Sequence, residues 1–379
     1  MNFELNKDIL ELRDRVREFV AKEITPYAHA MDEENGMREG LLQKAAELGL
    51  LTLSVPKEYG GACLDAVSVG VIYEEVAKGC AGVATTFAAN SLALLPVLIG
   101  GNEEQKKAFC GLLKEGKLGA FALTEPAAGS DAGGVKTRAV FNAEKNTYTL
   151  NGNKCFITNA GLAEVFVVLA NTREDGSMRG LTAFIVPKNT KGLSIGQKEN
   201  KMGIRASDTR SMKLENVEVP ASAIIGKPGL GFRLAMETLE IARPYAGILA
   251  VGVAQSALDS AIAFAKGREQ FGKPIGSFEM IQAMLADMSM KVETARLLVY
   301  KALWLKDEGL DFGKESAMAK CYAGDMAMQV TTDAVQIMGG YGYSKTGPVE
   351  KLMRDAKVMQ IYEGTNQVQR LIIAGKLLK

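Results

Sequence analysis

The spacing of apolar residues changes twice along this chain, and that double switch limits its architecture more than any other feature. From Asp8 to about Leu118 apolar positions recur at helical spacing, as in Ile9, Leu12, Val16, Phe19, Val20 and Ile24. Breaks fall at Pro26, at Val55-Pro56 with Tyr59-Gly60-Gly61, and at Gly100-Gly101. Between about Ala120 and Gly226 short strand-like segments take over: Thr137 to Phe141, Thr147 to Leu150, Lys154 to Thr158, Val165 to Ala170, Leu181 to Val186, and Met212 to Leu214 with Val217 to Val219. The Asn151-Gly152 pair predicts a tight turn between two of them. After Pro228-Gly229 helical spacing returns over Gly231 to Lys266, Phe278 to Asp307, Lys314 to Gly339 and Pro348 to Leu378. Helices, strands, then helices predict a multi-domain α+β chain. Its parts would be an N-terminal helical domain (1–119), a central antiparallel β-barrel or sandwich (120–227) and a C-terminal four-helix bundle (228–379).

Composition removes several classes of function. Lys and Arg number 45 against 44 Asp and Glu, a formal charge of +1, which argues against a nucleic-acid carrier or a protein held on anionic lipid. The longest apolar run, Leu92 to Ile99, contains Pro96 and is short for a bilayer, so no membrane insertion is expected. Met1-Asn2-Phe3-Glu4-Leu5 opens a charged amphipathic pattern rather than a signal-peptide core. Cys63, Cys80, Cys110, Cys155 and Cys321 lack paired spacing and read as reduced thiols, which together with the N-terminus predicts a cytoplasmic protein.

Catalytic chemistry narrows as well. His29 is the only histidine, so Ser-His-Asp, Cys-His and H-E-x-x-H systems have no basis, and no metal site is expected. There is no phosphate-binding G-x-x-x-x-G-K-[ST] loop, and Pro228-Gly229-Leu230-Gly231-Phe232 lacks the third glycine of a dinucleotide fingerprint. Catalysis must rest on carboxylates, on backbone and hydroxyl hydrogen bonds, or on an organic cofactor. One carboxylate stands out: Glu363, after Tyr362 and before Gly364-Thr365-Asn366, where a helical pattern breaks off. Near apolar surface its ionised form is disfavoured, which suits it to proton transfer. Taken alone, a Glu at such a turn is usually solvated.

An ordered set of motifs changes that weighting. Phe121-Ala122-Leu123-Thr124-Glu125-Pro126-Ala127-Ala128-Gly129-Ser130-Asp131, then Lys154 to Asn159, then Arg268-Glu269-Gln270-Phe271-Gly272 come first. Gln336 to Gly342, then Arg354-Asp355-Ala356 and Tyr362-Glu363-Gly364-Thr365 complete the set. In this order the chain resembles the acyl-CoA dehydrogenases over essentially its whole length. The resemblance implies a helical domain, a β-domain and a four-helix bundle, FAD bound between the last two, and a homotetramer. It also implies interconversion of acyl-CoA and 2-enoyl-CoA thioesters, with electron-transferring flavoprotein as electron partner.

By the same resemblance, Glu363 moves the α-proton while the β-hydrogen passes as hydride to or from flavin N5. The Glu363 N–H, with a ribityl hydroxyl, would bind the thioester carbonyl and stabilise enolate charge. The implied FAD contacts are Phe121, Leu123, Thr124, Ser130, Phe156, Ile157, Thr158, Arg268, Phe271, Gln336, Gly339, Gly340, Thr365, Asn366 and Gln367. Arg268, Phe271, Gln336, Gly339 and Gly340 would reach the FAD of a neighbouring subunit. Ser130, Glu240, Arg243 and Gly364 would contact the substrate. Taken singly, the threonines are ordinary strand hydroxyls and Gly339-Gly340 an ordinary helix end. Some branches of the family carry the base just before the arginine matched by Arg243; here that position is Ala242, which leaves Glu363. Glu279 stands where the family often has a glutamine against FAD. Either direction uses the same residues, so an enoyl-CoA reductase, in a bifurcating complex with the electron partner, stands beside a dehydrogenase. A short aliphatic or flat aryl-acryloyl group suits the segments Ala84 to Leu95 and Tyr245 to Val253. An oxygen-using oxidase or monooxygenase and a non-catalytic scaffold remain as alternatives.

Overall fold

A computed structural model describes residues 4–378. The expectation for the extreme N-terminus therefore falls partly outside the described residues, since Met1 to Phe3 precede them. Three of the N-terminal helices begin where short polar side chains satisfy their first N–H groups. Asn6 accepts from Ile9 N–H at 2.9 Å to start α1 (Lys7–Phe19), and Asp65 accepts from Ser68 N–H at 2.7 Å to start α4 (Ala66–Gly79). Asn102 and Gln105 form a reciprocal capping box on α6 (Glu103–Lys114). Between these lie the short α2 (Ala28–Glu33) and α3 (Leu41–Glu47), and the long apolar α5 (Ala81–Gly100).

The central region is one eight-stranded sheet. Its strands are β1 (Leu118–Ala122), β2 (Arg138–Asn142), β3 (Thr147–Thr158), β4 (Ala163–Asn171), β5 (Leu181–Pro187), β6 (Leu193–Lys198), β7 (Thr209–Pro220) and β8 (Ile224–Ile225). The hydrogen-bonded order is β6-β7-β3-β2-β4-β5-β8, with β1 added beside β4. Two expectations need correcting here. The sheet is open rather than a closed antiparallel barrel, and β4 pairs in parallel with both β1 and β2. Asn151-Gly152 does not turn the chain: β3 runs straight through it with a register shift against β7. Glycine is required there by close approach, because a Cβ would lie 2.3 Å from the Thr137 hydroxyl.

The C-terminal helices are α7 (Gly231–Gly267), α8 (Glu279–Asp307), α9 (Gly313–Met338), the single turn α10 (Gly340–Tyr343), α11 (Val349–Val358) and α12 (Asn366–Leu377). A hairpin of β9 (Glu269–Gln270) and β10 (Lys273–Pro274) joins α7 to α8. The fourth helical segment expected from Pro348 to Leu378 is therefore two helices. Glu363 and Gly364, at φ of 56° and 86°, interrupt it, and Thr365 restarts it by accepting from Val368 N–H. The N-terminal and C-terminal helices share one core. Val16, Ile72, Tyr73, Val76 and Phe87 pack in the same buried cluster as Ile248, Val251, Val299 and Val330. Both α5 and α7 are long and apolar enough to cross a membrane, contrary to expectation, but their most apolar stretches are mainly buried in this core. A helix apolar all round is one surrounded by other elements.

Candidate active site

Glu363 sits in the turn between α11 and α12, and the turn is built from several sides. Gly324 on α9 lets the backbone at Met359 come close, since a Cβ there would lie 2.6 Å from the Met359 carbonyl oxygen. Gln369 Nε2 donates to the carbonyls of Glu363 and Gly364 at 3.1 and 3.0 Å. Lys320, only 1 % exposed on α9, donates to the Gly364 carbonyl at 2.7 Å and to Asn366 Oδ1 at 2.9 Å. Asn366 in turn donates to the Cys321 carbonyl and to Asp325, which also receives Gln360 and Arg370. This network holds a non-glycine residue at positive φ, a conformation that costs roughly 1–3 kcal/mol.

The carboxylate itself stands apart from that network. Its Oε2 is buried and has no hydrogen-bond partner. Burial pushes its pKa up to about 7, against the opposing pull of Arg243 and Lys320. Arg243 on α7 is likewise buried with an unpartnered Nε, and burial lowers its pKa while Glu363 and Glu240 oppose the shift. Among the described residues the backbone N–H of Glu363 has no acceptor. A buried carboxylate with a free oxygen, beside a free N–H, can receive a carbonyl and exchange a proton with the carbon next to it.

A second group of expected residues gathers on the sheet. A bulge in β3 between Lys154 and Ile157 turns Phe156 outward, 65 % exposed at φ 55°. Cys155 N–H donates to the Thr124 carbonyl at 3.1 Å, which brings the end of β1 against the bulge. The hydroxyls of Thr124 and Thr158, both half-buried, make no hydrogen bond among the described residues. Beneath them lies a buried ion pair that inspection of the sequence missed. Lys154 Nζ donates to Glu125 at 2.8 Å and to the Leu123 carbonyl at 3.1 Å, and Glu125 also receives the backbone of Lys136 and Thr137. Burial lowers Lys154 to about 8, with Glu125 opposing.

The remaining expected residues divide by position. Leu123 and Ile157 are buried in the core, Phe121 is half-buried, and Ser130 and Gln367 are exposed. Asn366 and Thr365 commit their side chains to the Lys320 network and to the α12 cap. Glu240 accepts Ser316 through its carbonyl, and a Cβ at Gly313 would lie 2.8 Å from its carboxylate. Arg268, Phe271, Gln336, Gly339 and Gly340 form a separate exposed group, with Arg268 over the Tyr341 ring at 5.5 Å and Phe271 93 % exposed. Gln336 lies about 24 Å along α9 from Lys320, at ~1.5 Å per residue, so the chain does not bring this group to its own Glu363. Glu279 is exposed at the first position of α8, where a negative charge favours the helix dipole. Lys320 was not anticipated either; a lone lysine in line with Ala317, Gly324 and Ala327 was the available signal.

Comparison with known proteins covers the whole arrangement. The families described as acyl-CoA dehydrogenase N-terminal, middle and C-terminal domains match residues 6–117, 120–217 and 229–378. The probable acyl-CoA dehydrogenase YngJ of Bacillus subtilis is 45 % identical, with 100 % of both chains covered. The solved butyryl-CoA dehydrogenase of Megasphaera elsdenii superposes with a TM-score of 0.97 at 44 % identity, again over 100 % of both chains. A chain solved in work on the electron transferring flavoprotein of Acidaminococcus fermentans and flavin-based electron bifurcation gives the same TM-score of 0.97, identity of 44 % and coverage of 100 %.

Proposed function

The chain belongs to the acyl-CoA dehydrogenase family, and from that membership we propose that Glu363 is the group that moves the α-proton of its thioester substrate. The protein is an FAD-dependent oxidoreductase acting on acyl-CoA thioesters. The residues at the β3 bulge suit that cofactor. An outward aromatic ring on strained backbone, flanked by two unengaged threonine hydroxyls, offers a flat ligand both a stacking face and hydrogen bonds. Thr124, Phe156 and Thr158 would hold the flavin ring, and the proposed domain division at 119/120 and 227/228 leaves it between the sheet and the bundle. When bound, FAD supplies the acceptor or donor for the β-hydride.

The observation that carries this reading is the Glu363 carboxyl, buried, with a free oxygen and a pKa near 7. A thioester carbonyl accepting the Glu363 N–H would be polarised where enolate charge develops, and the carboxylate would then take the α-proton. A group poised near neutrality also carries its protonated form, so delivery of a proton to the α-carbon in enoyl reduction is open to the same residue. Ser130, Glu240, Arg243 and Gly364 are the proposed substrate contacts. A pocket for a short or flat acyl group is proposed between the segments Ala84 to Leu95 and Tyr245 to Val253, where Phe87 and Tyr245 are buried. Electron-transferring flavoprotein is the proposed electron partner, supported by the Acidaminococcus match. A homotetramer in the cytoplasm is the proposed state, with Arg268, Phe271, Gln336, Gly339 and Gly340 completing a neighbour's cofactor site.

The test is anaerobic. Bound flavin absorbance is followed while short-chain and aryl-acryloyl thioesters, saturated and 2,3-unsaturated, are offered. Bleaching by a saturated thioester is expected. Glu363→Gln should retain FAD and lose turnover by about 10²–10⁴-fold, the contribution of a positioned acid–base group. No spectral response to any thioester, or near-normal turnover by Glu363→Gln, would overturn the reading.

A further inference from the structure

We propose that Lys320 is a positioning residue for Glu363: its buried ammonium fixes the backbone of the turn that aims the carboxylate and supplies the positive potential that favours ionisation. The proposal rests on the reading of Glu363 as the proton-transferring group. Its basis is geometric. Lys320 rises from α9 directly beneath the turn, almost wholly buried, and spends two of its three protons on the Gly364 carbonyl and on Asn366 Oδ1. Those acceptors lie immediately after Glu363 and at the first residue of α12, so one side chain ties together both halves of the turn. Gln369 reinforces the Gly364 carbonyl from α12 and adds a bond to the carbonyl of Glu363 itself. A hydrophobic residue could fill the space but could not hold two oxygens, and an unprotonated amine would lose the charge-assisted character of these bonds.

The electrostatic half of the proposal depends on what else surrounds the carboxylate. Arg243 on α7 and Lys320 on α9 are the cations that favour its charge. Glu240 on α7, Cys321 and Asp325 on α9, Tyr362 in the turn and Arg370 on α12 are the other titratable or charged groups nearby. Asp325 is occupied by Arg370, Gln360 and Asn366, and Arg370 also donates to the Asn366 carbonyl, so Lys320 is the cation bonded to the Gly364 carbonyl. Burial brings the ammonium down to about 8, so it keeps its proton at neutral pH. Without it, Arg243 alone would oppose the desolvation of Glu363.

The experiment compares the FAD-loaded wild type with Lys320→Met, Lys320→Gln and Lys320→Arg. Lys320→Gln retains a donor while dropping the charge, so it stays informative should Lys320→Met fail to fold. Two readouts are taken: the pH dependence of kcat for thioester oxidation, and the titration of the Glu363 carboxyl by ¹³C NMR, assigned by its loss in Glu363→Gln. Wild type should show an acidic limb that coincides with the assigned titration. In Lys320→Met and Lys320→Gln both midpoints should rise by about one unit, with a roughly tenfold loss of kcat on the acidic side and little change in KM. Lys320→Arg should keep the wild-type midpoint. Unchanged midpoints in Lys320→Gln would overturn the role of Lys320 alone. A wild type whose limb survives Glu363→Gln would instead overturn the reading of Glu363.

Discussion

At the scale of single residues, Glu363 combines three features that conflict with stability: a positive φ, an unpartnered buried oxygen and a raised pKa. Because its folded-state pKa of about 7 exceeds the ordinary 4.5, folding favours the protonated carboxyl. That stabilisation is complete below pH 4.5 and is lost as pH rises through about 7. Glu363→Gln should therefore be more resistant to urea than wild type at pH 8, by on the order of 2 kcal/mol, with the difference nearly gone at pH 5. An equal difference at both values would contradict it. Gly364 is the neighbouring constraint. An added Cβ would lie 2.6 Å from Gln369 Nε2 at φ 86°, so Gly364→Ala should lower kcat at least tenfold while flavin content is kept. Much of this was legible before the fold was known: the Tyr362-Glu363-Gly364-Thr365 motif and Ala242 singled out the carboxylate. Lys320 was not, because its one local sign, a place in line with Ala317, Gly324 and Ala327, does not say what the buried ammonium would bond.

At the scale of elements, the site depends on two supports that the local pattern concealed. The Lys154–Glu125 pair joins β3 to the loop after β1, and breaking a buried pair leaves one uncompensated charge. Lys154→Met should destabilise the protein by about 3–5 kcal/mol in denaturant titration, and flavin release should accompany it. Gly324 is the second support, since it allows α9 to meet the chain at Met359. Gly324→Ala should cost about 1–3 kcal/mol and disturb the Glu363 turn, measured as a paired loss of thermal stability and kcat. Alternation and helical spacing revealed most strands and helices here. They could not reveal that Asn151-Gly152 continues a strand, because the deciding contact is with Thr137, on the neighbouring strand's approach. Nor could they reveal the parallel pairing of β1, which joins residues far apart in sequence.

At the scale of the whole molecule, the exposed apolar side chains call for an explanation beyond one chain. Phe271, Met280 and Tyr343 are largely exposed at the end of the bundle that carries Arg268, Gln336 and Gly340. Exposed apolar side chains of this kind suit the subunit interface that the proposed homotetramer requires. We expect sedimentation as four 40.6 kDa chains, and Phe271→Asp should both shift that equilibrium toward smaller species and lower flavin occupancy. A variant that stays tetrameric with full flavin would refute the link between the two. The sequence by itself determined the order of helical and strand regions, which depends on periodicity, and its ordered motifs, through their resemblance to a family, pointed to the carboxylate worth testing. Only the tertiary structure decided that the two helical regions share a core, that the sheet is open, and that Lys320 and Arg243 flank Glu363. Those depend on burial and on contacts between distant segments, and a carboxylate acquires its proton affinity from what surrounds it in space.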